Sequence, residues 1–222
     1  MKATVSHAKH RPLRAVLFDW DGTLLDSYTA GEEAFRKMFL ELGVEFTHEE
    51  FSTAYSPDWY ETYRALGLAE KRWAEADRLW RKFYADHAPG LVAGAERVLI
   101  ELRAQTLKLG LITTGHRSRV REELLRLNLV EMFDVVICGD DCEHVKPNPE
   151  GIERALAALA LSPDQALYVG DAPEDLAMAR SAGLRFLGIP SPYPTNRLLR
   201  EHGATVLGSL AELADFLTSH QL

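Results

Sequence analysis

The chain has 222 residues, 46% of them hydrophobic and 26% charged, with a formal charge of −8. That is the profile of one or two globular domains with room for a large core and no need of disulfide staples. No span approaches transmembrane length, and the acidic balance disfavours nucleic acid and anionic lipid as partners.

The basic cluster Lys2, Lys9, Arg11 and Arg14, with His7 and His10, reads as a solvated tail rather than a signal peptide, because it precedes no long apolar stretch. A cytoplasmic location follows by default. Cys138 and Cys142 are the only cysteines, and they read as free thiols near a strand end. No second Cys/His pair lies near them at metal-ligand spacing.

In chain order, Ala15-Val16-Leu17-Phe18 is an apolar run that stops at a charged cluster, as a buried strand does. Phe35, Met38, Phe39 and Leu42 then mark one face of a helix that Gly43 is placed to stop. Further helices are predicted near Glu49–Tyr55, Asp58–Leu66 and Glu70–Asp86. The stretch from Ser27 to Pro89 shows no convincing strand and holds thirteen of the twenty aromatic residues. Beyond Pro89-Gly90, helix and strand alternate. A helix near Ala95–Gln105 precedes the run Leu109–Ile112, and a helix with Val120, Leu124 and Leu127 on one face precedes Val135–Ile137. A helix carrying Ile152, Leu156 and Leu159 then leads to Ala166–Val169. Gly170-Asp171 opens another loop and helix, Arg185–Ile189 is a further strand candidate, and Glu212–Leu217 a final helix. Pro190-Ser191-Pro192-Tyr193-Pro194 reads as a stiff loop. Such alternation predicts an α/β fold, a parallel sheet with helices on both faces. The all-helical stretch interrupts it as an inserted unit. The expected division is a core of residues 1–26 and 90–222 with an insert of residues 27–89.

Ligands bind outside the carboxyl ends of the strands in such sheets, so the residues just after each apolar run are the ones to read. They are Asp19 and Asp21, then Thr113 and Thr114, then Lys146, then Asp171 and Asp175. Converging carboxylates repel one another unless a cation intervenes, and a hard oxygen-seeking ion such as magnesium resolves the conflict. The set suits a phosphoryl group: magnesium and Lys146 supply positive charge, and Thr113 is read as donating its hydroxyl and backbone N–H to phosphate oxygens.

These residues resemble the motifs of the haloacid dehalogenase-like hydrolases over about Ala15 to Leu217. The four motifs stand in order as Asp19-Trp20-Asp21-Gly22-Thr23, Thr113, Lys146-Pro147-Asn148-Pro149, and Gly170-Asp171-Ala172-Pro173-Glu174-Asp175. The helical stretch resembles the family's helical cap, placed as in the branch of phosphoglycolate phosphatases and beta-phosphoglucomutase. The resemblance implies a Rossmann-like three-layer core and a magnesium-dependent phosphatase acting on a small phosphorylated metabolite; monomer and homodimer both stay open. It implies Asp19 as nucleophile and Asp21 as acid and base, with Thr113, Thr114 and Lys146 on the phosphate. It implies magnesium held by the Asp19 carboxylate, the Asp21 backbone carbonyl and Asp171, with Asp175 helping directly or through water. Tyr55, Trp59 and Arg64 in the cap, and His116 at the pocket edge, are substrate-contact candidates. Val145 stands where this branch commonly has glycine, and Tyr55-Ser56-Pro57-Asp58-Trp59 matches no substrate signature.

Simpler structural readings exist for several of these residues. Asp21-Gly22 is also a turn pair. Asn148 and Pro149 read as a helix start, which leaves Lys146 unexplained. Glu174 is read as part of an acidic first helical turn. Thr113 and Thr114 both remain open as the main phosphate ligand of the second motif. A phosphomutase is the alternative function, and a non-catalytic scaffold a remoter one. Asp21 argues against dehalogenase and phosphonatase chemistry, whose branches usually lack this acid.

Overall fold

The computed structural model describes residues 12–56 and 58–220. Apart from Arg14, which is exposed, the basic cluster at the N-terminus lies outside the described residues.

Five strands, β1 (Ala15–Phe18), β2 (Lys108–Ile112), β3 (Val135–Ile137), β4 (Ala166–Gly170) and β5 (Arg185–Gly188), form one parallel sheet in the order β3-β2-β1-β4-β5. β1 sits at the centre, with Phe18 in register with Leu111 on one side and Val169 on the other. All four of its residues are buried, as a strand covered on both faces requires.

Side chains alternate across the strand. Val16 and Phe18 face a core shared with helices α5 (Ala95–Ala104) and α6 (Arg117–Arg126) and the last helix, α10 (Leu213–Ser219). Ala15 and Leu17 face a second core built on α7 (Glu150–Leu159) and α8 (Pro173–Ser181). The result is the three-layer α/β architecture the alternation implied. A short helix, α9 (Leu198–Glu201), escaped the sequence pattern, being only one turn long.

Between β1 and α5 lie α1 (Tyr28–Glu41), α2 (His48–Ala54), α3 (Trp59–Ala65) and α4 (Trp73–Tyr84), with no named strand among the described residues. Local chemistry sets their ends. Thr47 and Glu50 form a reciprocal capping box at the start of α2. Asp58 accepts the Tyr60 N–H at the start of α3. α1 stops at Glu41, just ahead of Gly43. The predicted helix over Glu70–Asp86 divides into a 3₁₀ turn, Glu70–Arg72, and α4. These helices have their own core, with Phe35, Phe39, Phe51 and Tyr63 at its centre and Trp73 and Trp80 packed against it. Among the described residues no helix is long and apolar enough to cross a membrane. Cys138 and Cys142 are unpaired thiols.

Candidate active site

The carboxyl edge of the sheet carries a buried group of charges. Asp19 follows β1 directly, and its N–H extends the ladder to Val169 O at 3.0 Å. The Lys146 ammonium, nine-tenths buried, bonds to Asp19 and to Asp175 Oδ1, the latter at 2.8 Å. Asp171, two per cent exposed, follows β4. Carboxylate oxygens of Asp19, Asp171 and Asp175 lie within 4.8 Å of one another. Three carboxyl groups thus gather near one ammonium with little exposure to solvent.

That imbalance shows in the acidities. Burial pushes the Asp19 carboxyl up to about 7, with Lys146 pulling it down and Asp175 adding to the rise. Burial likewise drives Asp171 well above the usual range, helped by the charges of Asp19 and Asp175. Among the described residues its two oxygens are met by hydroxyls, Thr23 Oγ1 at 3.0 Å and Ser191 Oγ at 2.5 Å. A set of hard oxygen donors with surplus negative charge fits a divalent cation such as magnesium.

Asp175 is held differently. Its Oδ2 accepts the N–H groups of Asp171 and Ala172, at 3.2 and 3.1 Å, while Oδ1 meets Lys146 and the Tyr168 hydroxyl. The carboxylate therefore ties the loop after β4 to the lysine. Gly170 makes room for it, since a side chain there would run into the Asp175 carboxylate. Gly22 is required more strictly: its φ is +86°, and a Cβ would stand 2.5 Å from Asp171 Oδ2 and 2.8 Å from the Tyr193 ring.

The second motif needs a correction. Thr113 is buried, and its N–H is committed to Ile137 O at 3.0 Å, so it cannot serve a phosphate as expected. The reason is that β2 is flanked by β3, whose ladder takes that donor. The Thr113 hydroxyl accepts the Gly115 N–H at 2.9 Å and keeps its own proton to donate. Thr114 also lines the cavity, and its N–H has no acceptor among the described residues.

Above this edge lies a cavity of about 460 Å³, roofed by the insert. Tyr55 and Trp59 line it, and so does His116, which starts α6 and lies 3.5 Å from Asp140. Arg64 does not. It is half exposed, pairs with Glu61 and Glu70, and stacks over Trp73, because its place on α3 turns it away from the cavity. Glu174 stands in the acidic first turn of α8, as read from the sequence, and also lines the cavity. Its Oε2, Trp80 Nε1 and Thr195 Oγ1 belong to cavity-lining residues, and each of these atoms is buried without a hydrogen-bond partner among the described residues.

A model of the haloacid dehalogenase-like hydrolases matches residues 16–189. The chain belongs to that family. This hydrolase is 33% identical over 177 residues to the pyrophosphatase PpaX of Bacillus cereus (strain AH820), covering 78% of its own length and 81% of the relative's. CbbY from Rhodobacter sphaeroides, solved in complex with phosphate, superposes with a TM-score of 0.78 at 28% identity, over 90% of this chain and 96% of that one. A predicted phosphoglycolate phosphatase from Haemophilus somnus 129pt shares the fold, with a TM-score of 0.81 at 19% identity, over 92% and 97% of the two chains.

Several residues of this hydrolase's site were missed in the sequence. The proline-rich loop after β5, read only as stiff, brings Ser191 to Asp171 and stacks Tyr193 against Tyr28 and Tyr55. Asn196 is buried and donates to the carbonyls of Asp171 and Ile189 at 2.7 and 2.9 Å. Arg119, on α6, grips Asp21 with both guanidinium arms. Burial alone would raise the Asp21 carboxyl, but the Arg119 charge and hydrogen bonds, with help from Ser27, hold it below its ordinary value. An arginine on an otherwise ordinary helix carries no local signal of such a contact.

Proposed function

We propose that this hydrolase is a magnesium-dependent phosphatase that works through an aspartyl-phosphate on Asp19. The convergence of Asp19, Asp171 and Asp175 around one buried lysine carries the reading. In the first step an Asp19 oxygen attacks phosphorus, the bond to the leaving oxygen breaks, and Asp21 gives that oxygen a proton. In the second, water attacks the phosphorus, Asp21 takes its proton, and the bond to Asp19 breaks to release inorganic phosphate. Lys146 and the Thr113 hydroxyl hold the phosphoryl oxygens, with the Thr114 N–H the free backbone donor. Magnesium, held by the Asp19 carboxylate, the Asp21 carbonyl and Asp171, would neutralise charge on the phosphoryl group. Asp175 contributes directly or through water while fixing Lys146.

The substrate is a small phosphomonoester whose alcohol part occupies the aromatic cavity, among whose lining residues are Trp80, Thr195 and Glu174. Residues 27–89 act as the cap over a core of residues 1–26 and 90–222, and Tyr55, Trp59 and His116 meet the substrate. The relatives' names point to phosphoglycolate and pyrophosphate as the first compounds to assay. A phosphate-release screen of phosphorylated metabolites with magnesium tests the reading. Asp19→Asn is expected to abolish release while leaving the circular dichroism spectrum unchanged; near-normal turnover in that variant would overturn it.

A further inference from the structure

Asp21 is backed by a buried polar chain that takes no part in the steps above. Arg119 Nη1 lies 3.0 Å from Asp21 Oδ1, and Nη2 lies 2.6 Å from Oδ2, a two-pronged pairing. Nη1 also reaches both oxygens of Glu123, at 3.1 and 3.3 Å. Glu123, five per cent exposed, accepts the Tyr84 hydroxyl at Oε1 (3.1 Å) and the Trp20 indole N–H at Oε2 (2.7 Å). The Arg119 guanidinium sits over the Tyr84 ring, 5.3 Å from its centroid. Asp21 and Trp20 follow β1, Arg119 and Glu123 stand on α6, and Tyr84 ends α4 of the insert. The chain therefore runs from the helical insert to the side chain that must handle a proton.

A carboxyl with both oxygens gripped by arginine is well oriented but cannot reach a leaving oxygen. One oxygen has to be released and turned toward the substrate. Glu123 makes that release possible, because Arg119 keeps a buried counter-charge when it lets go. Tyr84 occupies Oε1, the oxygen nearest Arg119 Nη1, and so limits how strongly Glu123 competes.

We propose that Arg119 is the positioning residue for Asp21, and that Tyr84 of the insert, acting through Glu123, sets the balance of its grip. This rests on the aspartyl-phosphate reading, and the test separates the two. The probes are 4-nitrophenyl phosphate and benzyl phosphate, similar in size. Nitrophenolate leaves without a proton, whereas benzyl alkoxide needs one. Alcohol release is followed in a single turnover, with enzyme in excess and magnesium present. Arg119→Met is expected to slow benzyl alcohol release about 100-fold while nitrophenol release changes by no more than about threefold, the span that general acid catalysis covers. Arg119→Lys, which keeps the charge but not the fork, recovers part of the loss. Tyr84→Phe slows benzyl alcohol release about fivefold and adds nothing in the Arg119→Met background, as coupled residues behave.

Equal slowing of both esters in a folded variant would make Arg119 merely structural and overturn the inference. Unchanged release of both would do the same, and a Tyr84→Phe effect that adds to that of Arg119→Met would remove the link to the insert. Should Arg119→Met fail to fold, Arg119→Lys and Tyr84→Phe make the same comparison of the two esters. Failure of the underlying reading looks different: the unaltered enzyme releases neither alcohol, or Asp19→Asn releases both normally.

Discussion

At the carboxyl edge of the sheet, charged side chains find partners far away in sequence: Lys146 meets Asp19 and Asp175, and Arg119 meets Asp21. In the helical insert, arginines pair with near neighbours in the chain, Arg64 with Glu61 and Arg72 with Glu75. The first kind is buried, and removing one partner strands a charge, at roughly 3–5 kcal/mol. The second is half exposed and worth about 0–1 kcal/mol. The insert instead gains its order from aromatic contacts, among them Phe35 with Phe51 and Tyr60 stacked on Trp73. On the proposed reading, reaction chemistry belongs to the buried edge and choice of leaving group to the aromatic wall.

Mutations on the two sides should then fail in different ways. The largest effect belongs to the edge. Asp171→Asn keeps the shape of the site but removes a charge proposed to hold magnesium, and is expected to lower phosphate release on the order of 100-fold at fixed magnesium, with partial recovery as magnesium is raised. A magnesium titration of turnover checks this, and an unchanged magnesium dependence would detach Asp171 from the ion.

The next effect reads the edge through protons. Asp19 is raised to about 7 from 3.8, so between those values the folded protein keeps a proton that the unfolded chain has lost. The contribution of this carboxyl to stability therefore falls as pH rises through that window. On the proposed reading magnesium displaces the same proton, so its affinity should tighten by about fivefold from pH 6 to pH 7 and level off above. Thermal shifts measured with and without magnesium across this range report it. A magnesium-induced shift that shrinks with rising pH would contradict the coupling.

On the insert side, Trp59→Ala is expected to raise KM by about 5- to 30-fold, about 1–2 kcal/mol of lost apolar contact, with kcat nearly unchanged. A fall in kcat at constant KM would place Trp59 with the edge rather than the wall. The smallest effect is assigned to Arg64→Ala, which should leave kcat and KM within about twofold and move stability by no more than about 0.5 kcal/mol. A large rise in KM there would return Arg64 to the substrate.

How far each region can be read from sequence follows the same line. Strand ends are legible because a buried apolar run must stop where the sheet stops, and Asp19, Thr113 and Asp171 all follow such runs within a residue or two. Lys146 is legible as part of the loop that follows β3, although no strand ends at it. The insert was legible only as helices. Tyr55 and Trp59 reach the cavity and Arg64 does not, a difference that depends on how α3 packs and not on composition.

By itself the sequence determined the α/β alternation, the helical interruption after the first strand and the set of residues gathered at one edge. Periodicity and chain order are local, and a parallel sheet translates them directly into position. Only the tertiary structure decided that the Thr113 N–H is spent in the sheet, that Ser191 reaches Asp171, and that Arg119 and Glu123 stand behind Asp21. Those contacts join residues remote in sequence. Their partners are chosen by helix packing and strand order, which a single residue's neighbours do not encode.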